Sequence, residues 1–209
     1  LLDRQSGEHN TEQEQKLREI VLREVDRLNV LVEDFLAYAR PRPLKLAPVN
    51  LTQLIEETAH LVEQDEMFKP DYEVVLNLSA QALTISADED SLRQIFWNLF
   101  RNAIEAMGDS GTLTVSAMTL YAGSKTEPFV EILVEDTGEG FTTDTLNHLF
   151  EPFFTTKQGG TGLGLATVHR IVESHSGMIL AENSASGGAA FRVMMPVEPR
   201  QAGLDGSAL

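Results

Sequence analysis

Asn98-Leu99-Phe100-Arg101-Asn102-Ala103-Ile104-Glu105-Ala106 is the stretch whose reading decides the fold. It lies inside a predicted helix over 89–107, where Leu92, Ile95, Phe96, Leu99, Ala103 and Ala106 recur at helical spacing and form one apolar face. Asn98, Asn102 and Glu105 sit at i, i+4 and i+7 and share a stripe bordering that face. Two carboxamides one turn apart offer oxygens to a hard cation and N–H groups to phosphate oxygens. Taken alone, the same stripe also suits a solvated helix face.

Downstream, Val130, Ile132 and Val134 alternate along a predicted strand that runs into Asp136-Thr137-Gly138-Glu139-Gly140. A carboxylate at a strand end can accept a hydrogen bond from an exocyclic amine, and the two glycines let backbone approach a flat ligand. By itself such a run is also a common turn or calcium-loop fragment. Farther on, Gly159-Gly160-Thr161-Gly162-Leu163-Gly164-Leu165 opens a helix predicted to reach Ser176 and to close at Gly177. Glycines and a Thr at a helix N-terminus form an anion site from backbone N–H groups and the helix dipole. No Lys-Ser/Thr pair follows, so this is no Walker loop, and the spacing differs from the dinucleotide fingerprint. Phe150-Glu151-Pro152-Phe153-Phe154-Thr155-Thr156-Lys157 precedes it and reads as a lid with apolar anchors and one cation. Phe150 and Phe153 also suit a core segment.

Upstream, a long helix is predicted from Thr11, with Glu14 at capping-box spacing, to Arg40, where Pro41 and Pro43 stop it. Leu17, Val21, Leu28, Leu31, Phe35 and Tyr38 form a stripe widened by Leu22, Val25, Val32, Leu36 and Ala39, with Glu24 as its polar interruption. A face this wide suits a bundle member, the alternative being a coiled-coil stalk. Residues 40–48 read as a hinge. Asn50 and Gln53 then cap a helix that turns Leu51, Leu54, Ile55 and Val62 inward. Strands are predicted at 73–78, 82–86, 112–120, 129–135, 178–182 and 189–197. Together these elements predict an α+β fold with one sheet covered by helices on one face, preceded by the long helix. The tail 199–209 is small and polar and reads as disordered.

Composition narrows the function. The 209 residues are 42% hydrophobic, enough for a core, and carry a formal charge of −16. That charge argues against nucleic acid and against docking on an anionic membrane. The absence of cysteine excludes disulfides and thiol chemistry. No stretch reaches the length of a membrane span and no signal pattern opens the chain.

The four motifs in this order resemble the boxes of sensor histidine kinases. Asn98 to Ala106 resembles the N box, Asp136 to Gly140 the first glycine box, Phe150 to Phe154 the F box, and Gly160 to Leu165 the second glycine box. Gly187-Gly188 followed by Phe191 to Pro196 is similar to the closing glycine pair and last strand. The run Phe153 to Lys157 looks most like the nitrogen-regulation and pilus-regulation type. The resemblance implies a Bergerat-type ATP domain over 46–198, a two-layer α/β sandwich with a mixed sheet, and, over 1–45, the second helix of a dimerisation and phosphoacceptor hairpin with its hinge. It further implies that Asp136 holds the adenine amine and that Asn102, with Asn98, holds Mg²⁺. Lys157 and the backbone of Gly160, Thr161, Gly162, Leu163 and Gly164 would cradle phosphates, with Glu105, Gly138, Gly140 and Phe154 completing the ATP site. The implied catalytic residues are Asn98, Asn102 and Lys157. Implied partners are the chain's own phosphoacceptor helix, a response regulator receiver domain and a second copy in the full-length protein, in a cytoplasmic setting.

The same superfamily includes ATPases, in which a Glu four residues before the metal-binding Asn activates water. Here that position is Asn98, which takes no proton at neutral pH, and this favours transfer over hydrolysis. A serine kinase of the anti-sigma-factor type shares the boxes, but the long helix and Pro-rich hinge favour the histidine kinase. The phosphoacceptor motif is missing: His9 sits in a loop-like context, and His60, His148, His169 and His175 lie in the nucleotide domain as surface or partly buried residues. His175 is placed to complement the end of its helix. The chain therefore reads as a piece of a longer kinase. Ala189 stands where many relatives have Thr, which removes a water-mediated adenine contact.

Overall fold

The computed structural model describes residues 43–79, 82–121, 128–157, 160–185 and 187–198, and positions 17, 18, 21, 22, 24, 25, 28, 32, 35 and 36. Those ten positions are helical and exposed, with the apolar row Leu17, Val21, Leu28 and Phe35 facing outward. The capping pair Thr11 and Glu14, His9 and the tail 199–209 lie outside the described residues.

Strand β1 (Ala47–Asn50) leads into α1 (Leu51–Glu63), and β2 (Tyr72–Leu78) and β3 (Thr84–Ala87) lead into α2 (Glu89–Ala106). Then follow β4 (Gly111–Tyr121), β5 (Pro128–Asp136), α3 (Thr143–His148), α4 (Gly164–Ser174), β6 (Met178–Asn183) and β7 (Ala189–Pro196). Five strands form a mixed sheet in the order β2-β4-β5-β7-β6, parallel only between β2 and β4. A separate ladder pairs β1 with β3 antiparallel. The sequence leads one to expect a single sheet and a linker through Pro48, but that linker ends before β1. Pro48 is tolerated because the strand has one partner and its missing N–H breaks no second ladder.

Alternation decides which side of the sheet is covered. Leu113, Val115, Ala117, Val130, Ile132, Val134, Val193 and Met195 are buried, and α1, α2 and α4 pack over the sheet. The opposite face carries Arg192 between Glu131, at 2.7 Å, and Glu182, at 3.4 Å. The predicted α+β sandwich is therefore the fold observed.

Helix α2 is the centre of the core. Leu92, Ile95, Phe96, Leu99 and Ala103 are buried as predicted, and Phe100 and Ile104 join them; Ala106 is only partly covered. Phe96 and Phe100 stack at 6.0 Å. Its N-cap is Asp88, whose carboxylate accepts from Ser91 N–H at 2.9 Å. Asn50 caps α1 by accepting from Gln53 N–H, as the sequence suggests. The end of α4 differs in detail: Ser176, not Gly177, takes the left-handed conformation (φ 60°). Gly177 is required for another reason, since a Cβ there would lie 2.6 Å from the Met194 carbonyl oxygen.

His175 complements the end of α4, and it is buried. Its Nε2 accepts from Asp88 N–H at 3.1 Å, so Nδ1 carries the hydrogen and donates to the Ile171 carbonyl at 2.8 Å. A neutral ring thus ties the C-terminus of α4 to the N-terminus of α2.

Candidate functional site

Asp136 ends β5 with its side chain buried at 3% exposure. Its Oδ1 accepts from Gly138 N–H at 2.8 Å and from Ala189 N–H at 3.1 Å. Both bonds fall on one oxygen, which leaves Oδ2 to accept from an incoming donor. Burial pushes this carboxyl above the usual carboxylate range; the Ala189 and Gly138 N–H groups and the positive Lys157 pull against that shift.

The turn after Asp136 has no room for side chains at its two glycines. A Cβ on Gly138 would sit 2.6 Å from the Ala106 carbonyl oxygen, so this loop lies directly on the end of α2. Gly140 has φ +70° and is held by Asn183, whose Oδ1 accepts from Phe141 N–H at 2.7 Å and whose Nδ2 donates to the Phe141 carbonyl at 2.9 Å. Gly188 has φ +76°, and a Cβ there would strike the Asp136 carbonyl. Ala189 therefore serves the site through its backbone.

At the other end, α2 presents Asn102 and Glu105 to the loop between α3 and α4. Lys157 Nζ lies 2.6 Å from Glu105 Oε2 and 3.2 Å from Asn102 Oδ1. Asn98 faces the start of α4: a Cβ on Gly164 would lie 3.4 Å from Asn98 Oδ1. Helix α4 has no side-chain cap at its N-terminus, so its first N–H groups point toward that same region. Gly162 (φ +66°) accepts from Phe153 N–H at 2.9 Å, Thr161 Oγ1 accepts from Leu163 N–H at 3.3 Å, and Gly160 N–H donates to the Lys157 carbonyl at 3.2 Å.

The structure thus brings Asn102, Glu105 and Lys157 into contact, sets Asn98 beside Gly164, and gathers Asp136, Gly138 and the Gly188–Ala189 turn. Phe154 packs instead against the His148 ring at 5.7 Å. Phe150 packs on the core and meets His169 at 5.2 Å. Phe153 is no core anchor: it is 60% exposed with φ 68°, because its backbone is spent on closing the turn to Gly162. Sequence reasoning missed Asn183. Its only signal is an Asn at a strand end, which alone points to many turns. Among the described residues no cluster of three His, Cys, Asp or Glu forms a metal site. No described helix is long and apolar enough to cross a membrane.

Comparison with known proteins agrees with this geometry. Residues 87–199 match the family of histidine kinase-, DNA gyrase B- and HSP90-like ATPases. The chain is 40% identical over 188 residues to the sensor histidine kinase ZraS of Salmonella typhi, covering 89% of this chain and 39% of that protein. The full-length histidine kinase ShkA, solved with AMPPNP, superposes with TM-score 0.72 at 33% identity over 85% of this chain and 37% of that one. Histidine kinase ThkA, solved with the response regulator TrrA, superposes with TM-score 0.71 at 29% identity over 87% of this chain and 51% of that one. This chain belongs to the histidine kinase-, DNA gyrase B- and HSP90-like ATPase family and carries the catalytic, ATP-binding domain of a sensor histidine kinase.

Proposed function

We propose that the chain binds ATP with Mg²⁺ and donates the γ-phosphoryl group to a histidine on a separate helix, for relay to a response regulator. The observation that carries this reading is Asn98 beside Gly164, next to the Asn102–Lys157 cluster. The helix-α2 side chain beside Gly164 is a carboxamide, which cannot take a proton from water at neutral pH. The phosphate is thereby kept for a protein acceptor. Positioning and charge neutralisation then carry the transfer, with Lys157 and the backbone of Gly160 to Gly164 as donors, Gly160 N–H exchanging the Lys157 carbonyl and Leu163 N–H exchanging Thr161 Oγ1 for phosphate oxygens.

Asp136 would accept the adenine amine on Oδ2, with Gly138 and Gly140 admitting the ring. Asn102 would hold Mg²⁺ with Asn98 beside it. The donors fit a hard cation, since Asn102 Oδ1 and Glu105 Oε2 already embrace the Lys157 ammonium. Bound there, the ion would neutralise charge on the phosphates. Phe154 would border the nucleotide from the lid. A receiver domain as partner is supported by the ThkA–TrrA structure; the phosphoacceptor helix and a second copy follow from the histidine kinase reading itself, and a cytoplasmic setting from the need for ATP.

Calorimetry with Mg·ATP tests the first half; no saturation at millimolar nucleotide would refute it. The second half is tested by adding a phosphoacceptor-helix protein and radioactive ATP. Acid-labile label should appear on the added helix and not on this chain.

A further inference from the structure

Lys157 is anchored by groups of the protein itself. Its ammonium meets Glu105 Oε2 at 2.6 Å, Asn102 Oδ1 at 3.2 Å and the Asn102 carbonyl at 3.5 Å, so all three N–H donors have acceptors. Glu105 is fixed from its other side: Oε1 accepts from Arg101 Nε at 3.0 Å. The loop is arranged around the lysine, since Lys157 N–H donates to Thr155 Oγ1 at 3.1 Å and the Lys157 carbonyl accepts from Gly160. The two partners stand 52 residues apart in sequence, one on α2 and one on the loop between α3 and α4. Their side chains are 38% and 22% exposed, partly shielded from water.

We propose that Glu105 is a positioning residue that latches the lid loop to α2 through Lys157, and that a triphosphate opens the latch by competing for the same ammonium. The competition rests on the ATP reading above; the latch itself does not. A carboxylate at 105 makes the exchange selective, because only a polyanion outbids it for the lysine. As the lysine leaves, Glu105 and Asn102 are freed for a divalent cation. Closing on phosphate and accepting the metal thus become one event.

Hydrogen–deuterium exchange on the whole chain without nucleotide reads the latch directly. E105Q and K157M should each speed exchange of the amides of Phe153–Lys157 and Gly160–Leu163 about three- to fivefold, the range of a partly exposed ion pair. The double variant should add nothing beyond either single variant. Unchanged exchange in E105Q, or additive effects, would overturn the latch. In metal-free buffer E105Q should also bind ATP about three- to fivefold more tightly, and that gain should vanish in the K157M background. A gain that survives K157M means Glu105 acts by simple repulsion, which also overturns it. Should ATP fail to bind the wild type while exchange behaves as described, the nucleotide reading falls and the latch stands.

Discussion

At the Asp136 end of the site the carboxylate is buried and held by two backbone N–H groups, whereas at the Asn102 end the groups are side chains that hold one another. Asp136 is 3% exposed; the Lys157 and Glu105 side chains are 38% and 22% exposed. The first end is built from strand ends and glycine turns that cannot move without breaking the sheet. The second joins a helix to a loop through contacts that a polyanion or a cation can replace. A rigid end suits selection of a flat base. An exchangeable end suits phosphates, which arrive, lose a group and leave. Backbone-crowding substitutions at the first end should therefore cost fold and binding together, and those at the second should change binding and local loop protection while leaving the global fold intact.

The largest effect is expected at Asp136. In Asp136→Asn the side-chain oxygen can still accept from Gly138 and Ala189, but the amide then faces the ligand amine donor to donor. Adenine nucleotides should bind about 10- to 100-fold more weakly, the loss of a hydrogen bond to a charged group. Guanine nucleotides should lose less, and equal losses in calorimetry would contradict the adenine role. Gly188→Ala comes next: φ +76° and the Asp136 carbonyl both oppose a side chain, so unfolding should become about 1–3 kcal/mol easier. Gly187→Ala is the control. Its φ of +91° strains any side chain, yet nothing lies within 4 Å, so thermal melting should show the smaller loss. If the two variants melt alike, the tight fit behind Asp136 is not what holds this end. At the exchangeable end Lys157→Met should weaken ATP about fivefold and leave adenosine binding and melting unchanged.

At both ends the residues were legible and the long-range contacts were not, the Lys157–Glu105 pair included, 52 residues apart. Asn98, Asn102 and Glu105 lie on one helix, where spacing alone places them on one stripe. Lys157 was recognisable as a lone cation in a glycine-flanked loop. Around Asp136 the deciding contacts come from sequence-distant backbone: Ala189 N–H is 53 residues away, and Asn183 reaches Phe141 across 42. No periodicity encodes such contacts. The fold follows the same division. Strands β4, β5 and β7 announce themselves by alternation, while β1 hides behind Pro48 and α3 is too short, at six residues, to show a period. Phe153 misled because hydrophobicity suggested burial, whereas its place in the turn required a left-handed backbone.

The smallest effect separates the two ends by pH. Burial raises the Asp136 carboxyl above its ordinary value, so its folded form protonates at a higher pH than the unfolded one. For stability the sign follows from linkage: above the unfolded value the ionised buried group works against the fold, and that penalty fades as pH falls through the folded value. For binding the sign is opposite, because a protonated carboxyl presents a hydrogen where the adenine amine needs an acceptor. On mild acidification adenosine affinity should therefore fall before ordinary carboxylates titrate, while the Asp136 contribution to melting improves slightly. Asp136→Asn should abolish both trends. Calorimetry with adenosine reads this end alone, since adenosine has no phosphate for Lys157 to meet. An affinity that stays flat with pH in the wild type, or falls identically in Asp136→Asn, would remove Asp136 from the base-binding role and leave the nucleotide held only by its phosphates.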